Sequence, residues 1–172
     1  FSSTKEMLPY VNEMFDLLNL TYADLQSFVP IEKEQVEHYK KKYLKFIHPD
    51  FVSCVKDKEG KMIAFAITMP SFSKAFQKSK GELFPFGWWH FIQEQKKNTH
   101  VEFYLIGIDP VYQNKGVHAL IFKQLYDRFI KRGIKTLETN PILNENSKAQ
   151  LIWKNFDPVI HKRRKTFYKE LG

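Results

Sequence analysis

The chain contains little cysteine, little glycine and no long apolar run. Of its 172 residues one is cysteine and seven are glycine, which excludes an intrachain disulfide and a cysteine-based zinc cluster. No stretch approaches the ~18 consecutive apolar residues of a membrane-spanning helix, and neither the GxxxxGK(S/T) nor the GxGxxG nucleotide loop is present. With no signal-like N-terminus either, we expect a cytoplasmic protein.

What the sequence does have is positive charge and enough apolar residues for one core. The formal net charge is +8, the isoelectric point about 9.4, and 43% of the residues are hydrophobic. This length predicts a single domain over residues 1–172, and the charge favours anionic partners, among them coenzyme A, nucleic acids and membranes. Because the first residue is Phe1, we expect that the chain is the C-terminal part of a longer protein.

Hydrophobic periodicity predicts a mixed α/β fold. Helices are expected over 5–20, 31–47 and 116–132, with a further helix capped by Asn144 or Asn146 and ended at Asp157. Strands are expected over 51–56, 62–69, 101–108, 135–140 and 159–168. The only cysteine, Cys54, lies in the first of these strands, between valines, and is expected to be a buried thiol rather than a nucleophile. The order is α-α-β-β-(insert)-β-α-β-α-β, where the insert covers residues 70–100.

The most informative segment follows the strand 101–108. A glycine-bearing turn runs directly into a predicted helix, and exposed backbone N–H groups at a helix N-terminus bind phosphate. Six residues there resemble the (R/Q)xxGx(G/A) pyrophosphate loop of the GNAT (GCN5-related N-acetyltransferase) superfamily: Gln113, Asn114, Lys115, Gly116, Val117 and His118. His118 is a departure, since the family has Gly or Ala at that position. The element order is also similar to that of the family, except that its opening strand has no candidate before Lys5.

The resemblance implies an acyl-CoA co-substrate, acetyl-CoA or a longer acyl-CoA, and no metal. The diphosphate would lie on residues 113–119, ending at Ala119. The pantetheine arm would pair with the backbone of Ile106, Gly107 and Ile108, where an N–H group would polarise the thioester carbonyl. Gly107 also indicates a bulge or a close backbone approach.

A general base is expected on a strand. Glu102 lies eleven residues before Gln113, a spacing similar to that of the glutamate base in histone-acetylating members of the family. The alternatives are that Glu102 is a solvent-facing strand residue, or that Glu138 on the next strand is the base.

A second helix also resembles a family motif. The series from Asn146 to Trp153 is similar to N-x-x-A-x-x-(hydrophobic)-Tyr, in which the tyrosine often acts as an acid. Trp153 replaces that tyrosine, and because indole is not a useful proton donor, we expect Trp153 to form a wall of the thioester pocket. Asn146 is assigned to the same cofactor site.

The insert and the C-terminal charge run have two interpretations each. Phe84, Phe86, Trp88 and Trp89 either line an acceptor or acyl-chain pocket or anchor the insert on the sheet. The cations of residues 161–165 either contact a phosphate, an acidic substrate or nucleic acid, or are a solvated edge.

Two functions from different classes follow. The first is an acyl-CoA-dependent N-acyltransferase, in which a primary amine of a small molecule or peptide attacks the thioester directly. The second is a non-catalytic acyl-CoA-binding or interaction module on the same fold. We expect no membrane partner and, without an RNA- or DNA-binding motif, no nucleic acid. A homodimer or a tandem GNAT domain is the expected assembly.

Overall fold

The chain divides into two compact units, Phe1–Glu138 and Thr139–Gly172, in a computed structural model that describes residues 1–25, 28–43 and 47–170. The first unit contains, in chain order, α1 (Thr4–Met7), α2 (Val11–Tyr22), α3 (Lys33–Tyr43), β1 (Val52–Lys56), β2 (Met62–Pro70), α4 (Ser73–Ser79), α5 (Gly87–Lys97), β3 (His100–Ile108), α6 (Val117–Arg132) and the start of β4 (Thr136–Thr139). The second unit contains α7 (Ser147–Trp153). The predicted mixed α/β class is confirmed.

The strands form one mixed sheet in the order β1-β2-β3-β4. Strands β1, β2 and β3 are antiparallel neighbours. Strand β4 adds to the free edge of β3, where the N–H groups of Lys135 and Thr136 donate to the Thr99 carbonyl at 2.8 and 3.2 Å. Because the first residues of β3 and β4 meet in this way, the two strands run in the same direction.

Helices cover both faces of the sheet. Met14 and Leu18 of α2 pack with the buried Phe65 of β2 on one face. On the opposite face, the Ser53 hydroxyl of β1 donates to Gln124 Oε1 of α6 at 2.7 Å. The first unit is therefore a three-layer arrangement with the core on either side of β2.

The first predicted helix is interrupted. Pro9 has no N–H to donate, and a 3-10 turn over Leu8–Tyr10 separates α1 from α2. Apolar residues of this predicted helix are buried at Met7, Val11, Met14 and Leu18, whereas Leu8 is 42% exposed. The second predicted helix is confirmed over Lys33–Tyr43, and residues 44–46 of that prediction lie outside the described residues.

The predicted final strand over 159–168 is wrong. Residues 157–170 have no regular secondary structure, and Val159, Ile160, Phe167 and Tyr168 are each more than three quarters exposed. The physical reason is the run of cations at 161–165, which interrupts the apolar alternation that a strand needs to bury one face. Among the described residues, no helix has the length and apolarity needed to cross a bilayer.

Candidate functional site

A β-bulge in β3 lies just before the candidate site. Leu105 pairs with Ile67 and Phe103 with Thr68 of β2, so Tyr104 is an extra residue between two neighbouring pairs. Because of this extra residue, the side chains of Phe103 and Leu105 point to opposite faces of the sheet, although they are two positions apart in the chain. The centres of the Phe103 ring and the Phe122 ring of α6 are 6.0 Å apart, whereas Leu105 lines a small cavity with Met14 of α2.

After the bulge, alternate backbone groups of β3 point away from β2. The Asp109 N–H donates to the Ile63 carbonyl at 2.9 Å, and such bonds recur at every second residue of an antiparallel pair. The backbone groups of Ile106 and Ile108 therefore face the other edge. In agreement, the Ile106 carbonyl accepts from the Tyr22 hydroxyl at 3.2 Å, and the Ile108 carbonyl accepts from Gln113 Nε2 at 3.2 Å.

Strand β4 does not extend alongside this part of β3. It has four residues against nine in β3, and both strands begin at the same end of the sheet. At about 3.3 Å per residue, β4 ends before it reaches Ile106. This leaves the outward-facing edge of residues 106–108 beyond the end of β4, in front of the turn that leads to α6.

Gly107 is explained by a close approach. It pairs with Phe65 of β2, and a Cβ at this position would lie 2.5 Å from Phe65 Cε1. Glycine is thus required for contact with the buried ring and does not itself form the bulge, which is at Tyr104. The bulge expected at Gly107 is therefore absent from that residue, and the close approach there is to the Phe65 side chain rather than to backbone.

The turn before α6 exposes several backbone N–H groups. Asn114 and Gly116 adopt left-handed conformations, with φ of +60° and +77°, and Gly116 is the N-cap of α6, where no side chain caps the helix. Across the described residues, the chain supplies no acceptor for the N–H groups of Asn114, Gly116, Val117 and His118. Four such donors at the positive end of a 16-residue helix have the chemistry needed to bind an anion.

The side chains around this turn leave the backbone accessible. Gln113 turns back to the Ile108 carbonyl, and the Lys115 ammonium lies 5.4 Å from the centre of the Tyr112 ring. A Cβ at Gly116 would meet nothing within 4 Å. Ala119 is exposed, and His118, the departure from the family pattern, is half-buried. The predicted phosphate seat is therefore open on the side of its N–H groups.

Glu102 is fixed by two hydroxyl groups. Its Oε1 accepts from the Ser71 hydroxyl at 2.6 Å, and its Oε2 accepts from the Tyr104 hydroxyl at 3.0 Å. Ser71 is itself buried just after β2, so the half-buried carboxylate has a defined orientation. Burial, together with the hydrogen bond and charge of Glu102, raises the pKa of Tyr104 to about 12. Sequence analysis missed both partners, because neither belongs to a recognisable motif.

Glu138, the alternative base, has a different partner. Its Oε2 lies 3.5 Å from His100 Nε2, and His100 Nδ1 is 2.6 Å from the Thr136 hydroxyl oxygen. His100 lies two residues before Glu102 on β3, so their side chains leave the same face of the sheet. The two candidate bases therefore come from neighbouring strands, one held by hydroxyls and the other beside an imidazole.

The second unit contains the remaining predicted cofactor residues. Asn146 is the N-cap of α7, as one of the two predicted caps, and its side chain accepts from the Ala149 N–H at 3.0 Å. The Trp153 ring lies 6.1 Å from that of Phe156. Their assignment to a thioester pocket stays a prediction.

The insert forms a helical hairpin, α4 and α5. The centre of the Phe91 ring of α5 lies 4.8 Å from that of Phe76 on α4 and 5.6 Å from that of Phe72, the N-cap of α4. These rings join the two helices. The predicted aromatic pocket residues are much more exposed: Phe84 80%, Phe86 74%, Trp88 46% and Trp89 50%. They lie in the connection between the helices and at the start of α5.

Two further predictions concern metal and thiol chemistry. Within the described ranges, no group of three or more His, Cys, Asp or Glu side chains could hold a metal ion. The Cys54 thiol is half-buried, and burial raises its pKa to about 12, which disfavours the nucleophilic thiolate at neutral pH.

Comparison with solved structures decides the fold. A candidate phosphinothricin N-acetyltransferase superimposes with a TM-score of 0.59 at 14% identity, over 86% of this chain and 75% of the other. The structure of AAC(6')-Iy in complex with the bisubstrate analogue CoA-S-monomethyl-acetylneamine gives 0.55 at 11% identity, over 95% and 93%. The Escherichia coli ribosomal-protein-S18-alanine N-acetyltransferase gives 0.52 at 17%, over 86% and 70%. The chain has the GNAT acyltransferase fold.

Sequence comparison gives a match to one curated protein. Protein YghO of Escherichia coli (strain K12) is 26% identical over 136 residues, which is 74% of this chain and 34% of YghO. The chain thus spans about a third of the length of the relative it matches. No family model matches the chain.

Proposed function

We propose that the chain is an acyl-CoA-dependent N-acyltransferase. The observation that carries this proposal is the set of four unpartnered N–H groups at the start of α6, immediately after a bulged strand whose outer edge extends beyond its neighbour. Donors in this arrangement fit a diphosphate, and the N–H groups of Ile106 and Ile108 fit the amide and thioester oxygens of an extended pantetheine arm. The solved GNAT-fold relatives include acetyltransferases bound to CoA and a CoA analogue.

In the proposed reaction the amine nitrogen attacks the thioester carbonyl, the C–S bond breaks, and the products are an amide and free CoA. Glu102 accepts the amine proton, directly or through one water. The Ser71 and Tyr104 hydroxyls orient the carboxylate for this role, because each oxygen retains a further lone pair while one is engaged. The backbone donors on β3 stabilise the oxyanion that develops on the carbonyl.

The predicted phosphate seat at the start of α6 can be tested by a pair of isosteric variants of Gly116. Asn and Asp both tolerate the left-handed conformation of Gly116, and there is room for either side chain. We expect acetyl-CoA to raise the melting temperature of the native chain, by an amount equivalent to about 2.7 kcal/mol at a hundredfold excess over Kd. The shift should be largely retained in Gly116→Asn and abolished in Gly116→Asp, where a carboxylate faces the diphosphate. An unchanged melting temperature across acetyl-CoA and longer acyl-CoAs would contradict the proposal.

A non-catalytic acyl-CoA-binding module is the second candidate, and the replacement of the family tyrosine by Trp153 favours it. Both candidates predict CoA binding, so the distinction lies in turnover. Release of free thiol from acetyl-CoA in the presence of primary amines supports the enzyme. Tight CoA binding with no thiol release for a broad panel of amines and peptides supports the module.

A further inference from the structure

The connection between α4 and α5 presents an exposed apolar surface of unusual composition. Its members, here called the aromatic tip, are Leu83, Phe84, Pro85, Phe86, Trp88 and Trp89. Four of them are consecutive and all six are exposed, with Trp88 the least exposed of the aromatic rings at 46%. Contiguous apolar patches of this kind mark interaction surfaces in folded proteins.

Three internal hydrogen bonds hold the aromatic tip against the start of α5. The Trp88 indole N–H donates to the Pro85 carbonyl at 3.0 Å. The backbone N–H groups of Trp88 and Trp89 donate to the carbonyls of Leu83 and Phe86 at 3.0 and 3.1 Å. Pro85 has no N–H. These three bonds hold the start of α5 against the turn, and they reduce the number of donors that lose water when the tip is buried.

Close packing fixes the shape of this turn. Gly87 is buried, and a Cβ there would lie 1.8 Å from the Glu82 carbonyl oxygen, so only glycine allows the chain to fold back on itself at this point. Because the turn is built in this way, little conformational entropy remains to be lost when the exposed rings are buried against a partner.

The charges around the aromatic tip are mostly positive. Lys74 and Lys78 on α4 and Lys80 at its end face solvent, against one carboxylate, Glu82, in the same stretch. The whole chain carries a formal charge of +8. A second copy would bring lysines against lysines, whereas an anionic surface complements them. The cleft beside the tip, lined by Lys78, Phe84 and His90 among others, has a volume of about 170 Å³, smaller than the usual ligand pocket.

We propose that the aromatic tip docks on the surface of an anionic lipid bilayer. Phenylalanine side chains would enter the acyl boundary, tryptophans would lie at the headgroup level, and the lysines of α4 would face anionic headgroups. This is peripheral contact by a short rigid turn, which differs from a spanning segment and was not expected from the absence of long apolar runs. The inference is independent of the proposed acyl transfer.

Vesicle co-sedimentation of the full chain tests the proposal. We expect binding to vesicles of phosphatidylcholine mixed with phosphatidylglycerol, much weaker binding to phosphatidylcholine alone, and a loss of affinity as salt is raised. The variant Phe84→Ala/Phe86→Ala should bind the mixed vesicles at least about tenfold more weakly. Lys78→Gln/Lys80→Asn should lose about tenfold on mixed vesicles and change little on phosphatidylcholine.

A matched control separates the aromatic tip from general apolar exposure. Tyr126 and Ile130 are 62% and 58% exposed, one turn apart on α6, and Tyr126→Ala/Ile130→Ala should bind as the native chain does. All variants change exposed residues, and each should keep the native melting temperature. The proposal is overturned if the native chain binds neither kind of vesicle, or if loss of both phenylalanines leaves binding unchanged. It is also overturned if sedimentation velocity shows that the tip joins two copies in the absence of lipid.

Discussion

At the scale of single residues, the Glu102 carboxylate and the Tyr104 phenol form the most defined pair in the site. Tyr104 donates to Glu102 at 3.0 Å, and its pKa of about 12 keeps the phenol protonated throughout the physiological range. A phenol with so high a pKa is a poor proton donor to a leaving thiolate. Its role in the proposed site is therefore to position the carboxylate.

Replacing Glu102 tests both roles at once. In Glu102→Gln we expect turnover to fall by about 10²- to 10⁴-fold, the usual contribution of a general base, with the acetyl-CoA thermal shift unchanged. The Tyr104 pKa should move down toward its ordinary value, because the variant removes a negative charge beside the phenol. Thiol release and a tyrosine titration by NMR provide the measurements. Unchanged turnover would assign the base elsewhere, with Glu138→Gln as the next variant.

A second residue-scale prediction concerns acid stability. Arg132 Nε donates to Asp50 Oδ2 at 2.7 Å, and its Nη2 lies 3.1 Å from the His48 ring nitrogens. Burial lowers the pKa of His48, and the charge of Arg132 lowers it further. For Asp50, burial acts to raise the pKa, but the hydrogen bond and charge of Arg132 outweigh it and leave the pKa below its ordinary value.

The lowered pKa values of His48 and Asp50 both make the folded state less stable as the pH falls. The unfolded chain takes up each proton at higher pH than the folded chain, so stability is lost as pH falls, first below the ordinary histidine pKa and then through the folded carboxyl pKa. Because Asp50 is 38% exposed, we expect Asp50→Asn to cost only about 0.5–1 kcal/mol at neutral pH. Urea unfolding should show this difference shrink on acidification. A difference that grows on acidification would contradict the assignment.

At the scale of elements, the contact between β2 and β3 at Gly107 is the tightest constraint on the site. A methyl group there would collide with the Phe65 ring, which is 1% exposed and cannot move into solvent. We expect Gly107→Ala to lower the free energy of unfolding by about 1–3 kcal/mol. In Gly107→Ala/Phe65→Leu the smaller side chain provides room, so the loss should be less than the sum of the two single losses. Additive losses would show that the ring is not the obstacle.

Most elements could be predicted because their signals are local. The hairpin β1–β2 has β-branched strands around a turn at Gly60, and α6 begins after Gly116 and ends at Gly133. The bulge could not be predicted, since one extra residue in a strand is defined only by the register of the neighbouring strand. The prediction of a final strand was wrong because its apolar residues lie at the two ends of a cationic run. Only pairing with a neighbouring strand could have decided whether such a segment forms a strand.

The same distinction applies to the candidate site. The phosphate seat is a contiguous turn, so its residues were found from spacing. The partners of Glu102 were not found, because Ser71 is 31 residues away in the chain and reaches the carboxylate through the path of β2. The α4–α5 hairpin was expected only as an aromatic insert, and its helices carry no strong periodic stripe over so few turns.

At the scale of the whole molecule, charge should govern the association with coenzyme A. A chain of +8 attracts an anionic ligand over a distance that salt shortens. We expect the acetyl-CoA thermal shift to decrease as sodium chloride is raised, and weak binding of pantetheine, which lacks the nucleotide phosphates, to be insensitive to salt. If the binding of acetyl-CoA and of pantetheine weakened equally with salt, the phosphates would not be bound at the predicted phosphate seat.

The register shift in β3 has a consequence for the length of the strand. Deleting Tyr104 would leave every other register between β2 and β3 as it is, with Phe103 still opposite Thr68 and Leu105 still opposite Ile67. The sheet therefore does not depend on this amino acid for its pairing, and a shorter protein without it would keep the same two faces. Tyr104 is thus an insertion into the β2–β3 register, and its phenol reaches the Glu102 carboxylate from that position.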